Sequence, residues 1–490
     1  VQALRDKSLL RSRMDTTGEM RLSMLQSIHD YARQKLSDSE SLSEQARQRH
    51  AQFYLQEGRR YAKASVGADA KMAIEWLQNN RQNLLAVVSR FSVSEPEWAC
   101  RAAMALEPLM LERAPRQLHR ELLDEAIDCA RDAEDDNLLV EVLLLRSKLE
   151  HEGGDAEYAL ELADECLEIL DEHDAPALRC EAMVRRGRIL FRMGQLDDAS
   201  ATMDAAEPLA KKHGLSALQA RILAQRALGA HSTMAPPERF LDRALRLARR
   251  SGNRNLEARI FGIRGVDKMI RGNFGEAERE HRAAVEMHDH NGSKGLVGLS
   301  KGNLGMVLLT LGRKVESERV LREAIEIHKQ LGNTLLEGAD MANLAGTLIE
   351  MGRYSEAYEL AEKAEQLTAS TKGLRELMVC RCFLAVASAC LGRVDDAERY
   401  YAAAKDCSAP FWKAMGHVLA FVEAQVELAA ARRDGGEPTD DRFLSAKATA
   451  ARLSEVKERL YICQESLDRM IDHYPVLAPD LSASAASESR

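Results

Sequence analysis

Residues 341–364 read MANLAGTLIEMGRYSEAYELAEKA. Forty positions upstream, residues 301–324 read KGNLGMVLLTLGRKVESERVLREA, and forty downstream, residues 381–404 read RCFLAVASACLGRVDDAERYYAAA. Each stretch has a glycine at one register: Gly312, Gly352 and Gly392. A small residue stands seven before it (Gly305, Ala345, Ala385), another five after it (Ser317, Ala357, Ala397) and a third twelve after it (Ala324, Ala364, Ala404). The beat runs back through Gly272, Gly194 and Gly154, where Gly265, Gly187 and Ser147 stand seven before. Ala86, Ala126 and Ala244 extend the third series. Between Gly194 and Gly272 the spacing is 78, two periods less two residues. Self-similarity at such a period is the signature of stacked supersecondary units. Each unit reads as two antiparallel helices. The glycine supplies the left-handed residue that ends the first helix, and the small residues mark close helix crossings. Apolar residues such as Leu344, Leu348 and Met351 fill the face at helical spacing. No proline falls between Glu238 and Ala409, as long uninterrupted helices require. His231 to Pro237 replaces one glycine turn, which predicts a bend or a loosened contact there.

The chain is 490 residues, 45% hydrophobic, 30% charged and 5% aromatic, with 29 Gly and 11 Pro. One compact core stops growing at roughly 250–300 residues, so the length demands several domains or an elongated repeat. Collagen-like and disordered classes are excluded by the low Gly and Pro and the ample apolar content. No apolar run approaches the ~18 residues of a membrane-spanning helix, and Arg5, Asp6, Lys7, Arg11 and Arg13 break up any leader-like opening. The chain opens on Val1 rather than Met, as the rear part of a longer protein would. The net charge of −9 argues against a general nucleic-acid binder. Residues 121–174 hold 20 acidic and 3 basic residues, whereas residues 216–290 hold 14 basic and 9 acidic. These segments read either as solvated helix faces or as an electrostatic contact. Nine cysteines without a C-x-x-C, of which only Cys380, Cys382 and Cys390 are close, read as reduced, buried residues of a cytoplasmic protein.

The ends depart from the repeat. Leu9 to Arg13 and Met20 to Leu25 flank Asp15 to Glu19 and predict a β-hairpin. Helices are expected at residues 26–36, 44–62 and 68–90. The boundaries expected are 1–40 for the hairpin module, 41–96 for linking helices, 97–433 for the repeats and 440–474 for a C-terminal capping helix. A disordered Ser- and Ala-rich tail is expected over 475–490.

The glycine and small-residue framework of residues 97–430 resembles the tetratricopeptide repeat. It departs from that family in its 40-residue period and in lacking the usual proline after the second helix. The resemblance implies an all-α, right-handed α-solenoid of about nine or ten helix pairs behind a partial winged helix. The front end carries Asp6-Lys7-Ser8-Leu9-Leu10, Arg21-Leu22-Ser23-Met24-Leu25-Gln26-Ser27-Ile28-His29-Asp30-Tyr31-Ala32 and Ala46-Arg47-Gln48-Arg49-His50-Ala51-Gln52-Phe53-Tyr54. Together with Trp76-Leu77 through Asn83-Leu84, these residues resemble the end of the winged helix, and the helices after it, in bacterial STAND-class ATPase regulators. There an ATPase precedes and a tetratricopeptide sensor follows. No G-x-x-x-x-G-K-[S/T] occurs here, so the resemblance implies a sensor half with its ATPase upstream.

Chemistry-bearing motifs are few. Gly298-Leu299-Ser300-Lys301-Gly302 matches G-x-S-x-G, but a nucleophile elbow needs a strand before the serine, and here the register places it inside a helix. His281, His288 and His290 lack further metal ligands at useful spacing, and His288 and His328 share a repeat position, as packing residues would. No catalytic residue, metal or cofactor is therefore expected in this chain. The first helices of tetratricopeptide units line the concave face, and the register puts Arg185, Arg188, Arg192, Arg259, Asn303, Met306, Asn343 and Phe383 there. The resemblance implies that Asn303 and Asn343 bond the backbone of an extended peptide. An arginine-rich end and an apolar floor suit an acidic-apolar peptide or a small anionic ligand.

The function expected is recognition of a protein or peptide effector by a signalling or transcriptional regulator. The winged helix would relay that event by contact with an upstream ATPase. No membrane association is expected, and no DNA contact from this segment, although residues 1–63 count 12 basic and 8 acidic residues. The alternative is a constitutive scaffold for complex assembly with no nucleotide switch.

Overall fold

A computed structural model describes residues 2–14, 20–229, 237–371, 373–407, 412–435 and 441–455. The chain divides into two compact units, Val1–Leu145 and Arg146–Arg490. The first holds α1 (Gln2–Asp6), strands β1 (Arg11–Met14) and β2 (Met20–Ser23), α2 (Gln26–Ser37), α3 (Glu40–Ala64), α4 (Ala70–Phe91), α5 (Pro96–Arg113) and α6 (Arg116–Asp132). Helix α7 (Asp136–Gly153) begins there and ends in the second unit. β1 and β2 pair antiparallel with Arg11 opposite Ser23 and Met14 opposite Met20, the hairpin read from the sequence. Its expected turn, Asp15 to Glu19, lies outside the described residues. So do the tail over 475–490 and everything beyond Glu455. Helices α3 to α6 have their own core. Leu77, Leu84, Leu106 and Leu123 are fully buried, and Trp76 stacks on Tyr61 with ring centroids 4.4 Å apart.

The second unit continues with α8 (Ala156–Ile169), a 3-10 turn at Leu170–Glu172, α9 (Pro176–Arg192), α10 (Leu196–Lys212), α11 (Ser216–Gly229), α12 (Pro237–Ser251) and α13 (Arg254–Ile270). It goes on through α14 (Phe274–His290), α15 (Lys294–Thr310), α16 (Lys314–Gln330), α17 (Thr334–Glu350), α18 (Tyr354–Ala369), α19 (Leu374–Cys390), α20 (Val394–Cys407), α21 (Trp412–Arg433) and α22 (Asp441–Glu455). Each odd-numbered helix from α9 to α21 packs on the even one after it, so the unit is an α-solenoid of tetratricopeptide-like helix pairs. At the turn inside the α17–α18 pair Gly352 has φ +78°, its N–H reaches the Ile349 carbonyl, and Arg353 N–H reaches the Leu348 carbonyl. A side chain there would be strained.

Inside three of the pairs the residue seven before the turn glycine meets the residue nine after it. A Cβ on Gly187 would lie 2.8 Å from Met203 Cε, one on Gly265 2.6 Å from His281 Nε2, and one on Gly305 2.5 Å from Leu321 Cγ. Where the seven-before residue is Ala345, the nine-after residue is Ala361, and both are fully buried. The two positions share out one volume, as close packing requires.

The predicted loosening near residues 231–237 falls mostly outside the described residues. The helices on either side nonetheless form a common core of Ala220, Leu223, Ala224, Ala227, Leu241 and Ala244, so no loosened contact is seen between α11 and α12. Among the described residues, no helix is long and apolar enough to cross a membrane. The eight described cysteines are free thiols, and all but Cys390 are buried.

Candidate functional site

Odd-numbered helices from α9 to α21 also touch one another in succession, giving one continuous layer. That layer curls back on itself. Arg192, at the end of α9, donates from Nη2 to Glu376 Oε1 at the start of α19 (3.2 Å) and from Nη1 to the His151 carbonyl of α7 (3.3 Å). Beside this clasp a Cβ on Gly154 would lie 3.1 Å from Thr371 Cβ and 3.3 Å from Leu335 Cδ2. Contacts between helices of the odd layer so far apart in sequence put that layer on the inside of the curve.

Spacing on α9 then decides what the inside carries. Glu181, Arg185, Arg188 and Arg192 stand at intervals of four, three and four, one face of a helix. Arg221 on α11 lies 40 residues after Glu181 and donates from Nη1 to both its carboxylate oxygens, at 2.5 and 2.6 Å. The same carboxylate holds Arg185 Nη2 at 3.8 Å. Arg185 is 5% exposed, yet its Nε and Nη1 make no hydrogen bond. Arg188 on α9 and Arg259 on α13 make no ion pair among the described residues.

These charges act on one another. Burial, and then the positive charges of Arg259, Arg185 and Arg221, hold the Arg188 guanidinium well below its usual range. Burial and then Arg221 push Arg185 down to about 10, and the same two causes lower Arg259. Arg259 keeps more than a third of its surface exposed. His151 is held well below its usual range by burial and then by Arg188, Arg192, Arg185 and Arg259, so its imidazole is neutral. Burial pushes the Glu181 carboxyl up, but Arg221 and Arg185 outweigh it and keep the group ionised. Arg185, Arg188, Arg221 and Arg259 thus act on one another, with Glu181 and Glu152 as opposing charges. Like charges repel more strongly the less water lies between them, so an anion among them is favoured.

Arg185, Arg188 and Arg259 of the expected face therefore come together, whereas Arg192 is engaged in the clasp. Asn303 and Met306 are half-buried further along, on α15. Asn343 is half-buried on α17, one turn from the buried Asp340, whose carboxyl is raised well above its usual range by desolvation. Phe383 is 4% exposed, with its ring edge against Gly346, where a Cβ would lie 2.6 Å from Cε1. It is taken up in packing between repeats. Sequence reading missed Arg221, Glu181, His151 and Glu152. The signal for the first two was present, since opposite charges one 40-residue period apart lie side by side in a stack.

Other candidate motifs resolve into packing. In the G-x-S-x-G stretch Ser300 is buried in the middle of α15 and Gly298 lies under the His328 ring. His281 fills the space over Gly265. Among the described residues no group of three His, Cys, Asp or Glu could hold a metal ion.

No protein-family model matches the chain, and no curated protein matches it. Solved structures do. A Rap protein complexed with competence and sporulation factor superposes with a TM-score of 0.55 at 12% identity, over 73% of this chain and 98% of that one. The fold is that of a tetratricopeptide-like solenoid. NprR in complex with its cognate peptide NprX gives 0.44 at 14% identity, over 78% of this chain and 98% of that one. A STAND protein with a tetratricopeptide repeat sensor from Pyrococcus horikoshii gives 0.48 at 14% identity, over 79% of this chain. This chain spans 56% of that protein's length. At such identities the likeness concerns the fold alone.

Proposed function

We propose that this chain is the effector-recognition region of a signalling or transcriptional regulator, cytoplasmic and non-catalytic, which binds a protein or peptide effector on the inner layer of its solenoid. The observation that carries this reading is the set of arginines from α9, α11 and α13 that face the interior with more charge than their carboxylate partners balance. Asn303 and Met306, half-buried on α15, extend that surface. A solenoid that presents one face along several repeats suits an extended partner. The Rap protein and NprR were each solved with a bound factor or peptide, which agrees with this reading without carrying it.

Relay belongs to the front of the chain. The hairpin and α2 leave Met14, Met20, Leu22, Met24 and Leu25 more than a third exposed, a surface suited to docking on a further module, which we read as a winged-helix contact with an upstream ATPase. A displayed library of short random peptides tests recognition. Acidic-apolar sequences are expected to be enriched and to lose binding to the Arg188→Glu variant, whereas enrichment that ignores the variant would move the site elsewhere. For the relay, the reading frame upstream of Val1 is expected to encode G-x-x-x-x-G-K-[S/T] after a strand. Its absence would leave a constitutive scaffold.

A further inference from the structure

The geometry points to a phosphoryl group as the anionic part of the ligand, held by Arg185, Arg188 and Arg259 in the interior of the solenoid. This inference rests on the reading that the inner layer is the binding surface, and it narrows the ligand's chemistry.

Three observations lead there. First, the site is built. Arg185 is 5% exposed with Nε and Nη1 unpaired, and its position is fixed by Glu181, which Arg221 in turn clamps through both oxygens. Second, the uncompensated donors come from two helices, Arg185 and Arg188 from α9 and Arg259 from α13. A carboxylate offers two oxygens in one plane, and those of Glu181 are both taken by Arg221 Nη1. A tetrahedral phosphoryl group offers three oxygens in different directions and suits donors that converge from separate elements. Third, the charge matches. Arg188 and Arg259 have no carboxylate partner among the described residues, and a phosphate monoester, which carries about −1.5 to −2 at neutral pH, supplies charge of the opposite sign to both. His151 beside them is neutral and adds no charge. Its Nδ1 is unpaired and buried, so it stands as a further polar group at the site.

The chemistry has two sources, a phosphorylated small molecule or a phosphorylated side chain of a peptide. Thermal denaturation and calorimetry on the full chain with inorganic pyrophosphate, citrate and a matched pair of phosphoserine and serine peptides separate them. Pyrophosphate is expected to raise Tm and citrate to do so at least tenfold more weakly in concentration. Arg188→Gln and Arg259→Gln are each expected to raise the Tm of the ligand-free protein, by removing an uncompensated charge, and to abolish the pyrophosphate shift. Arg226→Gln, whose partners Asp204 and Glu207 lie on α10 away from the cluster, is expected to keep it. A phosphoserine peptide that binds where its serine counterpart does not identifies a peptide source, whereas pyrophosphate binding alone identifies a small molecule. Equal shifts from citrate and pyrophosphate, or a shift that survives both variants, overturn the inference. If unphosphorylated acidic peptides bind and lose binding in Arg188→Glu while pyrophosphate has no effect, effector recognition stands and the phosphoryl assignment falls.

Discussion

At the scale of the residue, the molecule repeats one bargain between two side chains. The position seven before each turn glycine and the position nine after it hold Gly with Met, His or Leu in three repeats and Ala with Ala in another. Replacing Gly305 by Ala drives a methyl into Leu321 and is expected to cost about 1–3 kcal/mol. Leu321→Ala alone opens a cavity and is expected to cost about 2–5 kcal/mol. Together the two changes recreate the Ala345–Ala361 pair of the next repeat. Urea unfolding of the four proteins in the cycle is expected to give a favourable coupling of about 1 kcal/mol or more. Additive losses would mean that the two positions do not share a volume. The same rule explains Phe383. Its register matches that of Asn343 and Asn303, so the sequence assigns it to the inner face, but the gap left by Gly346 draws the ring into the core. A register names the face of a helix, and the neighbour's size decides whether a side chain leaves it.

At the scale of the element, α14 carries two buried histidines. Burial pushes His281 down to about 4, and burial followed by Arg259 does the same to His288. Both titrate near 6.5 in the unfolded chain, so between about 6.5 and 4 the unfolded state binds more protons than the folded one. Stability from this helix is complete above pH 6.5 and is lost as the pH falls toward 4, at up to about 2.7 kcal/mol per unit for two sites. His281→Leu copies the Gly305–Leu321 pair and removes one site. Its urea midpoint is expected to fall about half as steeply from these histidines over that range, and an unchanged slope would exclude His281. Elements were the most legible level of the sequence. The hairpin, α2 to α4 and the glycine-bounded pairs follow from the sequence pattern, because each needs only local contacts and, in the pairs, one backbone position with positive φ. The arginine stripe on α9 follows from the same arithmetic. What did not follow was Arg221, which belongs to the site through a partner one repeat away, and the clasp, whose partners share no period.

At the scale of the whole molecule, the contacts that matter most are those that skip repeats. Arg192 joins α7, α9 and α19, and it lies one turn of helix beyond Arg188 on the same face. Ligand charge on Arg188 and closure of the clasp are therefore neighbours along one helix. Glu376→Gln removes the charge partner of Arg192 while keeping its shape. Amide hydrogen exchange is expected to speed up at Gly154 and around Thr371 in this variant, with α13 to α16 protected as before. Unchanged exchange at those sites would show that the apolar contacts of Gly154 hold the closure alone.

That clasp changes the way such a chain comes apart. A plain stack of repeats is linked only to its neighbours, so its ends fray and its middle can open with little cost to distant parts. The Arg192–Glu376 contact ties together residues 184 apart in sequence, so every pair from α9 to α19 sits within one closed loop. Opening any single boundary inside that loop strains or breaks the tie. The array between them consequently behaves less like a chain of beads and more like a hoop, which loses its order in one event. Forming it requires a long excursion of chain to close, with the slow search that such closure entails.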